Sequence, residues 1–223
     1  MPQYWTIQSI IFHLTMAIPM ARPREFNVET ALEQAMEVLW TKGYEATSLD
    51  DLCEATDLSR SSLYATFGSK RKLLLRSVES YVERRTPNIA AILARPLSIR
   101  DAFAALLQEF IDQIVAGPGR RGCFLGNCAA ELPRSDRAAL AQVRQGLGRT
   151  EAIFRDALAR AKTRGELSSD ADVDALARFL TAGIQGLRLV GKVNPNRDAL
   201  KDIAETMLRC LGEQPQPPAT RKR

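Results

Sequence analysis

The chain of 223 residues carries 45% hydrophobic and 26% charged side chains, the composition of a folded globular protein, which excludes disordered and collagen-like classes. Its 31 Lys and Arg against 26 Asp and Glu leave a formal charge of +5, an excess that permits a polyanionic partner without requiring one. Four cysteines without a CxxC pair, and a single histidine, argue against a disulfide scaffold and a zinc site, so no metal or cofactor is expected and a reducing cytoplasm is implied.

Residues 1–21 carry no charged side chain, and the apolar stretch from Trp5 to Ile18 is too short for a membrane span and is interrupted by Gln8, Ser9, His13 and Thr15. No basic segment precedes it, which argues against secretion. The composition changes at Met20, which is followed by Ala21-Arg22-Pro23-Arg24. Two readings stand: translation begins at Met20, or 1–21 is a genuine extension forming an extra helix.

From residue 26 onward the apolar residues recur at helical steps. Val28, Ala31, Leu32, Ala35, Met36 and Leu39 form one stripe, with Asn27 as N-cap, Phe26 placed to pack back over the first turn, and Gly43 as the left-handed stop. A second short helix begins after Thr47 or Ser48, with Asp50 and Asp51 in its first turn and Leu49, Leu52 and Cys53 on its buried side. After Asp57-Leu58, Ser59 caps a third helix that turns Leu63 and Phe67 inward and ends near Gly68. Ser69 caps a longer fourth helix through Leu73, Leu74, Val78 and Tyr81, with a kink expected at Pro87 and an end near Ala94. Ser98 opens the next, closed by Gly117-Pro118-Gly119, and further helices are predicted at about 122–131, 135–164, 170–191 and 196–211. No strand run interrupts them, and the proline-rich tail from 212 to 223 is predicted to be disordered.

The prediction is an all-α chain: a three-helix, helix-turn-helix domain over 22–68 and a larger helical domain over 69–211. Leu49, Leu52, Cys53, Leu58, Leu63 and Phe67 have the spacing that two short helices need to share a small core. The side left outside carries Arg60, Ser61, Ser62, Tyr64 and Thr66, donors suited to base edges and phosphates, and Lys70 and Arg71 follow at a helix N-terminus that can hold a phosphate oxygen. Thr47 and Ser48 are candidate phosphate contacts from the preceding helix. The competing reading of each is a solvated face. Arg22 and Arg24 are either a minor-groove arm or an ordinary solvated terminus.

The run Gly43-Tyr44-Glu45-Ala46-Thr47-Ser48-Leu49-Asp50-Asp51-Leu52, then Leu58-Ser59-Arg60-Ser61-Ser62-Leu63-Tyr64-Ala65-Thr66-Phe67-Gly68-Ser69-Lys70, resembles the TetR/AcrR DNA-binding signature over roughly 26–73. The resemblance implies phosphate contacts at Thr47, Tyr64 and Lys70. It also implies a homodimer on a palindromic double-stranded operator, and repression relieved by a small molecule; an oxidant or electrophile is the other candidate signal, on the cysteine chemistry of the larger domain. Two departures stand out: Asp57 occupies a turn position where the family usually has Gly, and Thr66 a position where His is common. The alternative function is a helical protein-interaction scaffold that does not bind DNA. No nucleophile–base constellation or phosphate-cradling glycine loop points to an enzyme.

In the larger domain, Gly122 to Leu132 resembles a stretch found in one branch of the family. Cys123 is placed at a helix N-terminus just after Arg120 and Arg121, which favours a thiolate. Cys123 and Cys128 are therefore either redox sensors or small buried core residues. The effector pocket that the resemblance implies has candidate lining from Phe103, Leu107, Phe110, Ile114, Phe124, Asn127 and Phe154, whose scarcity of charge suggests a small apolar or aromatic effector. The last two helices carry Leu176, Phe179, Leu180, Ile184, Leu187, Leu189 and Val190, then Leu200, Ile203, Met207, Leu208 and Leu211. In the family such a pair forms a two-fold interface, and Gly183 and Gly186 would permit close helix approach.

Overall fold

The computed structural model describes residues 26–212. The 1–21 segment, the Arg22–Arg24 arm and the tail beyond 212 lie outside the described residues. The described chain is helical throughout: α1 (Val28–Lys42), α2 (Leu49–Thr56), α3 (Arg60–Phe67), α4 (Lys70–Leu93), α5 (Ile99–Ala116), α6 (Phe124–Glu131), α7 (Arg137–Thr163), α8 (Val173–Val193) and α9 (Arg197–Leu208). A 3₁₀ turn, Pro118–Arg121, stands in the glycine-rich loop before α6, and another, Arg209–Leu211, follows α9.

Helix starts follow the capping residues. Asn27 accepts from the Thr30 amide, and Ser48 and Asp51 form a reciprocal capping box. Ser59, Ser69, Ser98, Asp136, Asp172 and Asn196 each accept an amide from the first turn of the helix they open. Each such cap stabilises its helix by about 1 kcal/mol. Only α6 starts without a side-chain cap, at Cys123. Phe26 stays exposed and does not close the start of α1. α4 continues through Pro87 to Leu93, with Ala94 at its end as expected, and the Thr86 hydroxyl donates to the Val82 carbonyl at 2.7 Å beside the proline.

Packing divides the interior into two clusters. One joins α1, α2 and α3 to the first half of α4, to α6 and to the start of α7, through Leu39, Leu52, Leu63, Phe67, Leu74, Val78, Phe124 and Val143. The other joins the rest of α4 and α7 to α5, α8 and α9, through Ile92, Phe103, Phe110, Phe154, Leu158, Leu180 and Leu200. The core under the three N-terminal helices therefore does not stop at Gly68, because α4 and α6 complete it. No helix among the described residues is long and apolar enough to cross a membrane, and no group of potential metal ligands occurs among them.

Candidate nucleic-acid interface

The turn between α2 and α3 is made by Asp57, whose φ of 52° and ψ of 29° are left-handed and whose amide donates to the Cys53 carbonyl. That turn sets Leu58, Leu63 and Phe67 into the core beside Leu52 and so fixes which face of α3 looks outward. Arg60, Ser61 and Tyr64 lie on that face, and Tyr64 is 50% exposed. Ser62 is half-buried, its hydroxyl 2.9 Å from that of Ser59. Thr66 is half-buried too, and its hydroxyl donates to the Ser62 carbonyl at 2.8 Å, so the donor expected to face outward is engaged within its own helix.

Thr47 requires a correction. It is buried, with its hydroxyl donating to the Gly43 carbonyl at 2.6 Å, because the chain leaving α1 doubles back and closes this turn with a local bond. Ser48 is exposed instead, and its oxygen accepts the Asp51 amide, which leaves the hydroxyl able to donate outward. Arg60 is not a lone cation: its Nη2 lies 2.6 and 2.8 Å from the Asp50 carboxylate oxygens and its Nε 3.0 Å from one of them. Both partners are well exposed, so the pair is weak enough to be exchanged for a nucleic-acid partner.

Lys70 sits 4.7 Å from the centre of the Tyr44 ring, with its Nζ 3.4 Å from the Glu45 carbonyl. Tyr44 thus holds the cation at the start of α4, where free amides add a positive dipole end. Burial pushes the Tyr44 hydroxyl above its ordinary value, so it stays neutral. Arg71 is turned away to Asp136 at the start of α7, with two bonds of 2.7 Å. Glu131, at the end of α6, accepts the Tyr44 amide at 2.5 Å. Arg121 pairs with Glu37 and stacks 4.1 Å from the Trp40 ring centre, and Arg84 pairs with Glu33. Two helices of the body, α4 and α6, and the 3₁₀ turn before α6 therefore fix the pose of the three-helix head.

Residues 31–76 match the profile described as bacterial regulatory proteins of the tetR family, and residues 101–207 match a tetracyclin repressor-like C-terminal domain. An uncharacterized HTH-type transcriptional regulator of Bacillus subtilis, YezE, is 35% identical over 194 residues, covering 86% of this chain and all of the relative. The chain belongs to the TetR family. It is a DNA-binding transcriptional regulator. The repressor ComR of Escherichia coli is 32% identical and covers 86% of this chain and 92% of its own length. A solved structure of a cysteine mutant of the TetR-family regulator CifR, complexed with 26-base-pair operator DNA, superposes with a TM-score of 0.77 at 32% identity. It covers 84% of this chain and 98% of CifR.

In the TetR body a small, partly open cavity lies between α4, α5, α7 and α8 and has a volume of about 20 Å³. Phe110 and Phe154 line it. Phe103, Leu107, Ile114 and Phe124 do not, because their helix faces are taken up by core packing, and the Asn127 amide is turned to the Arg121 carbonyl at 2.9 Å. The lining is not charge-free. Arg85, Arg188 and Tyr81 stand in the wall, and Arg188 is only 6% exposed, donating to the Tyr81 hydroxyl at 3.1 Å and the Gly122 carbonyl at 2.8 Å. Burial raises the Tyr81 hydroxyl, which stays protonated.

The electropositive setting expected around Cys123 is different from the sequence picture. Arg120 donates to the Ile114 and Val115 carbonyls and Arg121 stacks on Trp40, so neither flanking arginine serves the thiol. Cys123 is buried, 3.9 Å from the Tyr81 hydroxyl. Burial pushes the Cys128 thiol up to about 12, which keeps it protonated and unreactive at neutral pH.

The apolar residues of α8 and α9 also sort unevenly. Leu180, Ile184 and Leu187 of α8, and Leu200, Met207, Leu208 and Leu211 beyond it, are buried within the chain. Phe179, Leu189, Val190 and Val193 are exposed on α8, Leu189 at 65% and Val193 at 82%.

Proposed function

We propose that this regulator is a homodimeric repressor acting in the cytoplasm, not an enzyme, and that it leaves a palindromic operator when a small effector opens the cavity between α4 and α8. The observation that carries the reading is the continuity of α4. Its first residue, Lys70, stands beside the reading helix, and Arg85, fifteen residues on, stands in the cavity wall. At 1.5 Å per residue these points are about 22 Å apart on one rigid rod, so displacement at one end is felt at the other. The short α6 supports a second route, from Leu125 at the cavity to Glu131 under Tyr44.

On this reading 22–68 is the DNA-binding unit and 69–211 the effector and dimer unit. Ser48, Tyr64 and Lys70 contact phosphates, while Arg60 and Ser61 face base edges in the major groove. Ser62 and Thr66 shape the reading helix from within. The names of the repressor ComR and of operator-bound CifR support the regulatory half of the proposal. A salt-dependent gel shift on the DNA upstream of the chain's own gene tests it. Lys70→Ala should weaken operator and random DNA alike and lower the salt slope by about 1. Unchanged affinity would remove Lys70 from the interface.

A further inference from the structure

The cavity wall holds two guanidinium groups with no carboxylate against them. Neither Arg85 nor Arg188 takes part in any ion pair among the described residues, although most basic residues around the head do. The neighbouring carboxylate, Glu109, is held one step away: it accepts from Gln113, whose amide oxygen in turn accepts from Arg85 at 2.8 Å. Both guanidinium carbons sit 5.3 Å from the centre of the Phe110 ring, so one aromatic face serves as a shared floor.

Two buried polar atoms on this same wall have no partner, the Nε of Arg85 and the Oε1 of Gln185. A guanidinium removed from water is unfavourable unless an opposite charge or full hydrogen bonding replaces its hydration. Here the tyrosine hydroxyl, one carbonyl and one amide oxygen supply only neutral acceptors. A planar two-oxygen anion supplies what the two arginines lack, one oxygen toward the Nε of Arg85 and the other toward Arg188; it offers no donor to the Oε1 of Gln185, which the anion does not satisfy. The remaining wall, from Val82, Ile89, Leu125, Leu147 and Phe154, is apolar.

We propose that the effector is a small monocarboxylic acid with an apolar body, bound as its anion between Arg85 and Arg188. This rests on the reading of the cavity as the effector site. As it stands, the cavity has room for a single water, so an acid with an apolar body enters only as α4 and α8 part. The ligand then binds the parted form better than the closed one, which is the condition for it to shift the equilibrium.

The test uses the full chain and a series of acids, acetate to hexanoate and benzoate, each beside its primary amide, read by calorimetric titration and by gel shift on the operator. At least one acid should bind, with its amide weaker by about ten- to a hundredfold, the loss of one charged hydrogen bond. Arg85→Gln should reduce the acid's affinity by a similar factor, with circular dichroism reporting that the fold is retained. Arg188→Lys, which keeps the charge but not the fork, should fall between.

Equal binding of acid and amide would overturn the proposal, as would absence of binding by every acid at millimolar concentration, or an intact affinity in Arg85→Gln. Acids that bind without releasing the operator would leave the anion site standing and sink the release mechanism. Amides that release it as well as acids would do the reverse.

Discussion

Asp57 is the only non-glycine with a positive φ among the described residues, and it occupies the turn that aims the reading helix. A Cβ in this conformation costs about 1 kcal/mol, less for Asp than for most residues because its side chain bonds locally. Asp57→Gly should raise the melting temperature by about 2–4 °C, and Asp57→Val should lower it by at least as much. The Asp50–Arg60 pair makes a second residue-scale prediction, because Asp50 competes with DNA for Arg60 and carries a charge that repels phosphate. Asp50→Asn should tighten binding to operator DNA by about two- to fivefold, the worth of an exposed pair. A fluorescence anisotropy titration reads this directly, and a weaker complex would mean that Asp50 orients Arg60 for its base. Both residues are plain in the sequence, but their pairing is not. They are ten apart and meet only because α2 and α3 cross at Asp57. Thr47 was misleading for the same reason, since its bond to Gly43 depends on how the chain leaves α1 and no periodicity reports that.

At the level of elements, the joint between α4 and α7 rests on Arg71 and Asp136. Asp136 caps α7 through the Ala139 amide while its carboxylate receives both bonds from Arg71. The Arg71 hydrogen bonds, then the Ala139 amide, hold its pKa down from 3.8 to about 2. A carboxylate held low in the folded state favours folding above its unfolded value, and that contribution fades as the pH falls from 3.8 toward 2. Asp136→Asn keeps the cap but removes the charge. The stability gap between the parent and this variant, read by urea unfolding, should be constant above about pH 5 and close toward pH 2. An unchanging gap would mean that the Arg71 pairing contributes nothing. Capping serines and stop glycines made these elements legible, because caps and turns are local. The cavity was not legible, because a helical stripe of apolar residues reads the same whether it faces a core or a void. Phe103 and Phe110 share one stripe, yet only Phe110 borders the cavity. Arg188, between Leu187 and Leu189, reads as a solvated charge until α4 and α8 are placed side by side.

For the whole molecule, two glycines on α8 separate packing within the chain from packing between copies. A Cβ at Gly183 would meet the Cε of Met207 at 2.5 Å, so that close approach belongs to α8 against α9 of the same chain. A Cβ at Gly186 would meet nothing within 4 Å. Gly186 lies on the face that exposes Phe179, Leu189, Val190 and Val193, whereas the outer face of α9 carries Lys201, Asp202, Glu205 and Thr206. The two-fold contact is therefore expected to centre on α8, with α9 at its rim. Leu189→Asp places a charge where the second copy would bury it, at little consequence for a residue that is mostly exposed in the single chain. It should give a monomer by sedimentation with an unaltered circular dichroism spectrum. Operator affinity should fall by about a hundredfold or more, because two half-sites bound by unlinked heads lose the effective concentration that the dimer supplies. A Leu189→Asp protein that still sediments as a dimer would move the interface off this face of α8.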